Sequence, residues 1–201
     1  MKERGMIFNA EMVRAILDGR KTITRRIVKL SHERGMVNPV VRGRNGEISS
    51  ITCRLAPMLC PFGQPGDRIW VRETWAEAGA SAPELKLYRA NYPEHVPSHY
   101  ENVPPVDEIR WTPSIHMPRW ASRITLEITG VRVERLNAIS EEDAMSEGVG
   151  HLYKYDESKP IPKGAKRRFA ELWQSIYGEE SWQANPWVWV ITFQCVEGGA
   201  A

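Results

Sequence analysis

Residues 187–193, with the sequence WVWVITF, are apolar at nearly every position. A strand with one solvated face alternates apolar and polar side chains, whereas a run without alternation is typical of a strand covered on both faces. We therefore expect these residues to form a central buried strand, flanked by other strands and covered on both faces.

The rest of the chain supplies neighbours for that strand. Strands are predicted where β-branched residues or alternating apolar positions occur, at residues 6–8, 21–28, 68–75 and 122–135. Helices are predicted after the capping residues Asn9 and Ser140 and at residues 169–177. This mixed, strand-dominated order predicts a mainly β (α+β) fold, a small β-barrel with flanking helices.

Irregular segments separate these elements. The length of 201 residues suits one domain, so we predict a single domain over residues 1–201. Long loop insertions are expected at about 31–64, 77–119 and 149–163, where prolines, glycines and polar residues cluster. Within the first insertion, Asn45-Gly46 favours a hairpin between Val40-Val41 and Ile48.

The composition narrows the class of protein. An apolar fraction of 42% and 8 tryptophans argue against intrinsic disorder. No window approaches the roughly 18 apolar residues that a membrane helix needs, and no apolar run of signal-peptide type follows the N-terminus. Three widely spaced cysteines, Cys53, Cys60 and Cys195, are typical of thiols in a reducing compartment. We expect a soluble cytoplasmic protein.

Charge is unevenly distributed along the chain. Residues 1–44 contain 11 Lys/Arg and 4 Asp/Glu, whereas the whole chain carries a net charge of only +2. A basic N-terminal segment favours an anionic partner such as a nucleotide or nucleic acid, although a solvated, salt-bridged surface gives the same pattern. Charge alone leaves both interpretations open.

The chain lacks the sequence motifs of several common classes of enzyme. The chain contains no Gly-x-Gly-x-x-Gly, no phosphate-binding Gly-Lys-Thr loop and no Gly-x-Ser-x-Gly. Cys53 and Cys60 have no second pair to complete a tetrahedral zinc site, and the histidines are dispersed. We expect no metal and no cofactor.

The first positive signal is the segment Gly19–Arg26. On an extended chain Thr22, Thr24 and Arg26 share one face, with Lys21 at the mouth of the strand. A lysine and a threonine hydroxyl then meet at one end of the sheet. An exposed basic edge strand is the alternative, since lysine discourages edge pairing.

The second signal is Glu73. Strict alternation places it on the same face as Ile69, Val71 and Trp75. A carboxylate on an apolar face is costly unless it is paired or used. A structural salt bridge to Arg25, Arg26 or Arg72 is the alternative to a catalytic role.

These residues carry a resemblance to a known family. Gly19-x-Lys21-x-x-Thr24-x-Arg26 resembles the signature of ASCH domains, which have a PUA-like β-barrel, and residues 65–74 and 187–193 resemble two further blocks. The chain is also similar, over nearly its whole length, to longer ASCH proteins of phages and prophages of enteric bacteria. The shared runs are at residues 60–63, 114–118 and 184–187.

The resemblance implies a function. Small bacterial ASCH proteins are N4-acetylcytidine amidohydrolases that use a lysine, a threonine and a glutamate, which fall here on Lys21, Thr24 and Glu73. The implied activity is metal-independent removal of the acyl group from N4-acylated cytosine or cytidine. Other members bind RNA or cleave single-stranded RNA, which is the alternative function. The insertions distinguish this chain from the small enzymes and bear on substrate size.

The implied roles leave two versions of the chemistry open. Thr24 is the nucleophile, and a hydroxyl needs a neighbour to take its proton. Lys21 is either a neutral base with a depressed pKa or a charged group that stabilises the oxyanion, with Glu73 as the acid and base. Arg26 and Trp75 are expected to hold the nucleobase by hydrogen bonding and stacking.

Overall fold

The computed structural model describes residues 1–29, 40–42, 48–50, 56–79, 82–149 and 164–196. The α-helices in these ranges are α1 (Ala10–Leu17), α2 (Glu141–Ser146) and α3 (Ala165–Tyr177). The β-strands are β1 (Glu3–Ile7), β2 (Ile23–Ile27), β3 (Val40–Arg42), β4 (Ile48–Ser50), β5 (Arg68–Arg72), β6 (Trp75–Glu77), β7 (Lys86–Tyr88), β8 (Thr125–Arg135) and β9 (Trp187–Cys195). None of the described helices has the length and apolar character required to cross a lipid bilayer.

Strand β9 lies inside a five-stranded sheet of order β1-β5-β8-β9-β2. It pairs antiparallel with β8 on one side and with β2 on the other. Trp189, Ile191 and Phe193 belong to the core shared with α1, whereas Val188 and Val190 belong to the core shared with α3. The expectation of a central strand buried on both faces is therefore confirmed.

The two edges of this sheet, β1 and β2, are connected by a side chain. Arg26 on β2 donates from Nη2 to the carbonyl oxygen of Ile7 on β1 at 2.9 Å. Its guanidinium carbon lies 5.4 Å from the centre of the Phe8 ring. The α+β class with flanking helices is confirmed; within the described residues the sheet curls so that its edges approach each other, without closing a ladder into a complete barrel.

Local sequence signals explain where the short helices begin. The Asn9 side chain accepts from the Met12 amide at 2.8 Å, and the Ser140 hydroxyl accepts from the Asp143 amide at 3.0 Å. Each bond satisfies an amide that the first helical turn leaves unpaired. Gly19 follows α1 with φ of +73°, a conformation that glycine adopts at low cost.

The strand predicted over 68–75 ends early. β5 ends at Arg72, and the amide of the next residue, Glu73, donates to the sulfur of Met117 at 3.3 Å rather than to a neighbouring strand. The chain then begins a separate hairpin, in which Trp75 pairs with Tyr88. The prediction for residues 73–75 as part of the same strand is therefore wrong.

The insertions are described in part. β3 and β4 pair antiparallel as the hairpin signal predicts, although Asn45-Gly46 lie outside the described residues. The 77–119 insertion holds the end of the β6–β7 hairpin and short 3₁₀ turns, and most of 149–163 lies outside the described residues. Cys60 and Cys195 are free thiols, and Cys53 lies outside the described residues.

Candidate active site

Strand β2 presents different side chains to its two faces. Thr24 pairs with Ile191, so it faces the core that contains Phe8. Arg25 points the other way, with its guanidinium carbon 5.8 Å from the Phe169 ring of α3. The alternation expected from the sequence is present, and it divides the signature residues between two layers.

Lys21 is buried at the start of this region, with 2% of its surface exposed. Its Nζ donates to the carbonyl oxygen of Ile23 at 2.8 Å, to that of Glu147 at 2.9 Å and to Oε2 of Glu147 at 2.6 Å. Three acceptors around one nitrogen match the three hydrogens of an ammonium group. Burial lowers the pKa of Lys21, and the adjacent Glu147 carboxylate opposes that shift.

Arg25 extends the same network of charges. Its guanidinium contacts Glu134 and Asp143 at 2.6 Å each and Glu147 at 3.2 Å. Because Lys21 and Arg25 are each 2% exposed, these two charges do not contribute to an exposed basic surface. Glu147 joins them by offering one carboxylate oxygen to each.

Thr24 combines burial with an unused polar group. The residue is 1% exposed, and its Oγ1 has no hydrogen-bond partner among the described residues. A buried hydroxyl without a partner costs about 1–3 kcal/mol of stability. Such a group calls for a functional or structural reason.

Glu73 is 2% exposed and forms an ion pair with Arg123, which precedes β8. Arg123 donates from Nε to Oε1 at 2.9 Å and from Nη2 to Oε2 at 3.0 Å. Burial raises the pKa of the Glu73 carboxyl, and Arg123 acts in the opposite direction. The pairing of Glu73 is thus real, but its partner is none of the arginines that alternation suggested.

Arg26 and Trp75 are the two residues expected to hold a nucleobase. Among the described contacts, none joins them to each other. Arg26 donates to the carbonyl oxygens of Arg25 and Ile7. Trp75 is 6% exposed, and its ring lies edge-on to Trp120 with centroids 5.3 Å apart. Its indole Nε1 is buried without a partner among the described residues, so it is a free donor.

Among the described residues, no hydrogen bond or ion pair joins any two of Lys21, Thr24 and Glu73. Lys21 is bound to Glu147, and Glu73 is bound to Arg123. Sequence reasoning missed both partners. Glu147 is 126 positions from Lys21, and Arg123 is 50 positions from Glu73, and neither separation follows from a local pattern.

Two solved structures are similar to this one, and the first is that of an ASCH domain. That structure, from Lactobacillus crispatus JV V101, has a TM-score of 0.42 and 12% identity, over 96% of this chain and 79% of the other. A second similar structure, a protein of Enterococcus faecalis V583 assigned to the family model DUF984, has a TM-score of 0.42 and 11% identity, over 98% and 80%. No family model and no curated protein matches the chain.

The two buried carboxylates, Glu147 and Glu73, are each paired with cationic side chains. Glu147 is shared by Lys21 and Arg25, and Glu73 is held by Arg123. Within the residues described, no three or more His, Cys, Asp or Glu side chains are grouped so that they could hold a metal ion.

Two cavities lie within the 77–119 insertion. One of about 320 Å³ is lined by Leu87, Tyr92 and Tyr100 among others, and an adjoining one of about 540 Å³ shares Tyr92 and Tyr100. Lys21, Thr24 and Glu73 line neither cavity. These three residues are each at most 2% exposed, so the candidate catalytic groups are enclosed by protein.

Proposed function

We propose that the protein is an amidohydrolase that removes the acyl group from N4-acylated cytosine or cytidine, with Thr24 as the nucleophile. The observation that carries the proposal is the buried Thr24 hydroxyl, which has no partner among the described residues. A valine of the same shape avoids the cost of that hydroxyl, so a hydroxyl at this buried position supports a chemical role for Thr24.

The contacts of Lys21 favour one of its two possible roles. A neutral amine has two hydrogens and one lone pair, and it cannot donate to the three acceptors that surround Nζ. The charged form fits them, so Lys21 acts in the proposal as a fixed positive charge that stabilises the developing oxyanion. The role of base then falls to Glu73.

The surroundings of Glu73 support a role as the base. Burial raises the pKa of its carboxyl, while the Arg123 guanidinium favours the ionised form. In the proposed first step Thr24 Oγ1 bonds to the acyl carbon, the C–N4 bond breaks, and the threonine proton passes through Glu73 to the departing amine. Water then hydrolyses the threonine ester, which releases the carboxylic acid and restores the hydroxyl.

The test is release of cytidine from N4-acetylcytidine by purified protein in the presence of EDTA, followed by chromatography. We expect turnover by the wild type and loss of at least 100-fold in kcat for Thr24→Val, on the scale of losing a catalytic group. Lys21→Met and Glu73→Gln are expected to be folded and inactive. Thr22→Val, at an exposed threonine two residues away, is the matched control and retains activity.

The proposal is wrong if the wild type releases no cytidine from N4-acetylcytidine or from N4-acetylcytosine. It is also wrong if folded Thr24→Val turns over at the rate of Thr22→Val. A circular dichroism spectrum and an unfolding curve for each variant establish that it is folded.

A further inference from the structure

We propose that Arg123 is a positioning residue of the candidate site. It fixes the Glu73 carboxylate in one orientation, and Asn91 and Tyr88 fix Arg123 in turn. The inference rests on the proposed function, in which Glu73 is the base. The proposal assigns a function to the 77–119 insertion, because the side chains of Tyr88 and Asn91 both belong to it.

The contact between Arg123 and Glu73 determines the orientation of the carboxylate. Two parallel bonds, Nε to Oε1 at 2.9 Å and Nη2 to Oε2 at 3.0 Å, hold the two planar groups in register. A bidentate pair of this kind fixes geometry in a way that a single lysine contact does not. The remaining lone pairs of Glu73 are therefore aimed in a defined direction.

The guanidinium is held from a second side by the insertion. Nη2 of Arg123 also donates to Oδ1 of Asn91 at 2.9 Å. Its Cζ lies 4.0 Å from the centre of the Tyr88 ring, which places a cation over an aromatic face. Arg123 cannot rotate away from Glu73 without losing both of these contacts.

Tyr88 and Asn91 are themselves anchored. The Tyr88 hydroxyl donates to the carbonyl oxygen of Ala121 at 2.9 Å, and its amide donates to Nε2 of His95 at 3.0 Å. Nδ1 of His95 lies 3.2 Å from the carbonyl oxygen of Asn91. The contacts thus run without a gap from the insertion backbone to the Glu73 carboxylate.

A purely structural ion pair is the competing explanation, since any buried carboxylate needs a counter-charge. The two explanations differ in what Asn91 does. If Arg123 only neutralises charge, then loss of Asn91 leaves the charge in place and the ionisation of Glu73 unchanged. If Arg123 positions Glu73, then loss of Asn91 loosens the bidentate contact between Arg123 and Glu73. Both the rate of catalysis and the ionisation of Glu73 then change.

The experiment compares Asn91→Ala and Arg123→Gln with Asn102→Ala, an exposed asparagine of the same insertion. Two quantities are measured: the pH profile of kcat/KM on N4-acetylcytidine, and the titration of the Glu73 carboxyl carbon by NMR. Besides Arg123, the titratable groups at this place are Tyr88 and His95, so their signals are followed in the same samples.

We expect Asn91→Ala to lower kcat by about 10- to 100-fold with little change in KM, on the scale of a misplaced catalytic group. The acid limb of the profile and the Glu73 titration should both move to higher pH, because the base loses part of the influence that keeps it ionised. Compared with Arg123→Gln, Arg123→Lys should restore the positive charge but not the bidentate contact with Glu73. It should therefore recover only part of the wild-type kcat.

The inference is overturned if the Glu73 titration in Asn91→Ala coincides with that in Asn102→Ala. The NMR readout does not require catalysis, so it decides the positioning role even if the wild type proves inactive on acylated cytidine. If Arg123→Gln does not fold, Asn91→Ala alone carries the test, since it keeps the buried charges paired.

Discussion

The Lys21 ammonium nitrogen and a carboxylate oxygen of Glu147 lie 2.6 Å apart, and both side chains are almost completely buried. Backbone contacts support this pair, because Lys21 and Glu147 also form an antiparallel bridge between the end of α2 and the approach to β2. The positive charge proposed to stabilise the oxyanion is thus held by an element far away in the sequence. Two predictions follow from the surroundings of Lys21.

Glu147→Ala should destabilise the protein by about 3–5 kcal/mol, because the buried Lys21 ammonium then loses its carboxylate partner, whereas Arg25 keeps Glu134 and Asp143. Denaturant unfolding measures the change. Glu171→Ala is the control, since the Arg167–Glu171 pair is 85% and 60% exposed and such pairs contribute about 0–1 kcal/mol. Equal unfolding midpoints for the two variants would contradict the prediction.

Gly148→Ala should reduce both stability and activity more than Gly19→Ala. Both glycines have positive φ, +88° and +73°, so each substitution carries a backbone cost of roughly 1–2 kcal/mol. A Cβ at Gly148 additionally lies 2.7 Å from Cβ of Ala15 and 3.1 Å from Cβ of Lys21, whereas Gly19 has open space. Unfolding curves and kcat are compared, and no difference between the variants would argue against close packing on Lys21.

Thr24→Val should change stability and activity in opposite directions. Removing the unpartnered hydroxyl while keeping the shape is expected to raise the free energy of unfolding by about 1 kcal/mol. The same substitution removes the proposed nucleophile, and Thr24→Ser should retain part of the activity. A stability loss in Thr24→Val would indicate that the hydroxyl has a partner in solution.

The stability of the protein should decrease as the pH falls below about 6.5. Burial lowers the pKa of His95 from its ordinary value of 6.5, so the folded protein binds fewer protons than the unfolded chain just below that pH. The contribution of His95 to stability is therefore fully present above pH 6.5 and is lost as the pH falls through the lower, folded-state pKa of this residue.

Unfolding curves at pH 7.5, 6.5 and 5.5, values chosen about the ordinary pKa of histidine, measure this dependence. His95→Gln should flatten it, since the neutral ring accepts from the Tyr88 amide and a glutamine does not titrate. His99→Gln, at an exposed histidine, should keep the wild-type slope. An unchanged slope in His95→Gln would rule out this histidine as the source.

The fold was more predictable than the site because its signals are local. The apolar run at β9, the capping residues Asn9 and Ser140 and the glycine after α1 each act within a few residues. Hydrophobic periodicity reports which face is buried, and this was enough to place Glu73 in the interior.

The charge partners were not predictable, because pairing depends on which elements meet in three dimensions. The sequence pattern suggested Arg25, Arg26 or Arg72 as the partner of Glu73. In the structure Glu73 pairs instead with Arg123, which precedes β8. The end of β5 at Arg72 was not predicted either, and the contact made by the next amide, with the sulfur of Met117, is likewise distant in sequence. The roles of Arg26 and Trp75 toward a nucleobase stay predictions.

Alternate residues of β2 serve different layers: Thr24 and Arg26 face the core around Phe8, while Ile23 and Arg25 face α3. Insertion or deletion of one codon within this strand would exchange the two sets at once. A guanidinium would then enter the apolar interior, and the hydroxyl would face the acidic groups of α2. We therefore expect β2 to tolerate replacement of single residues better than any change of length, and a mutant library of this segment should keep its length constant.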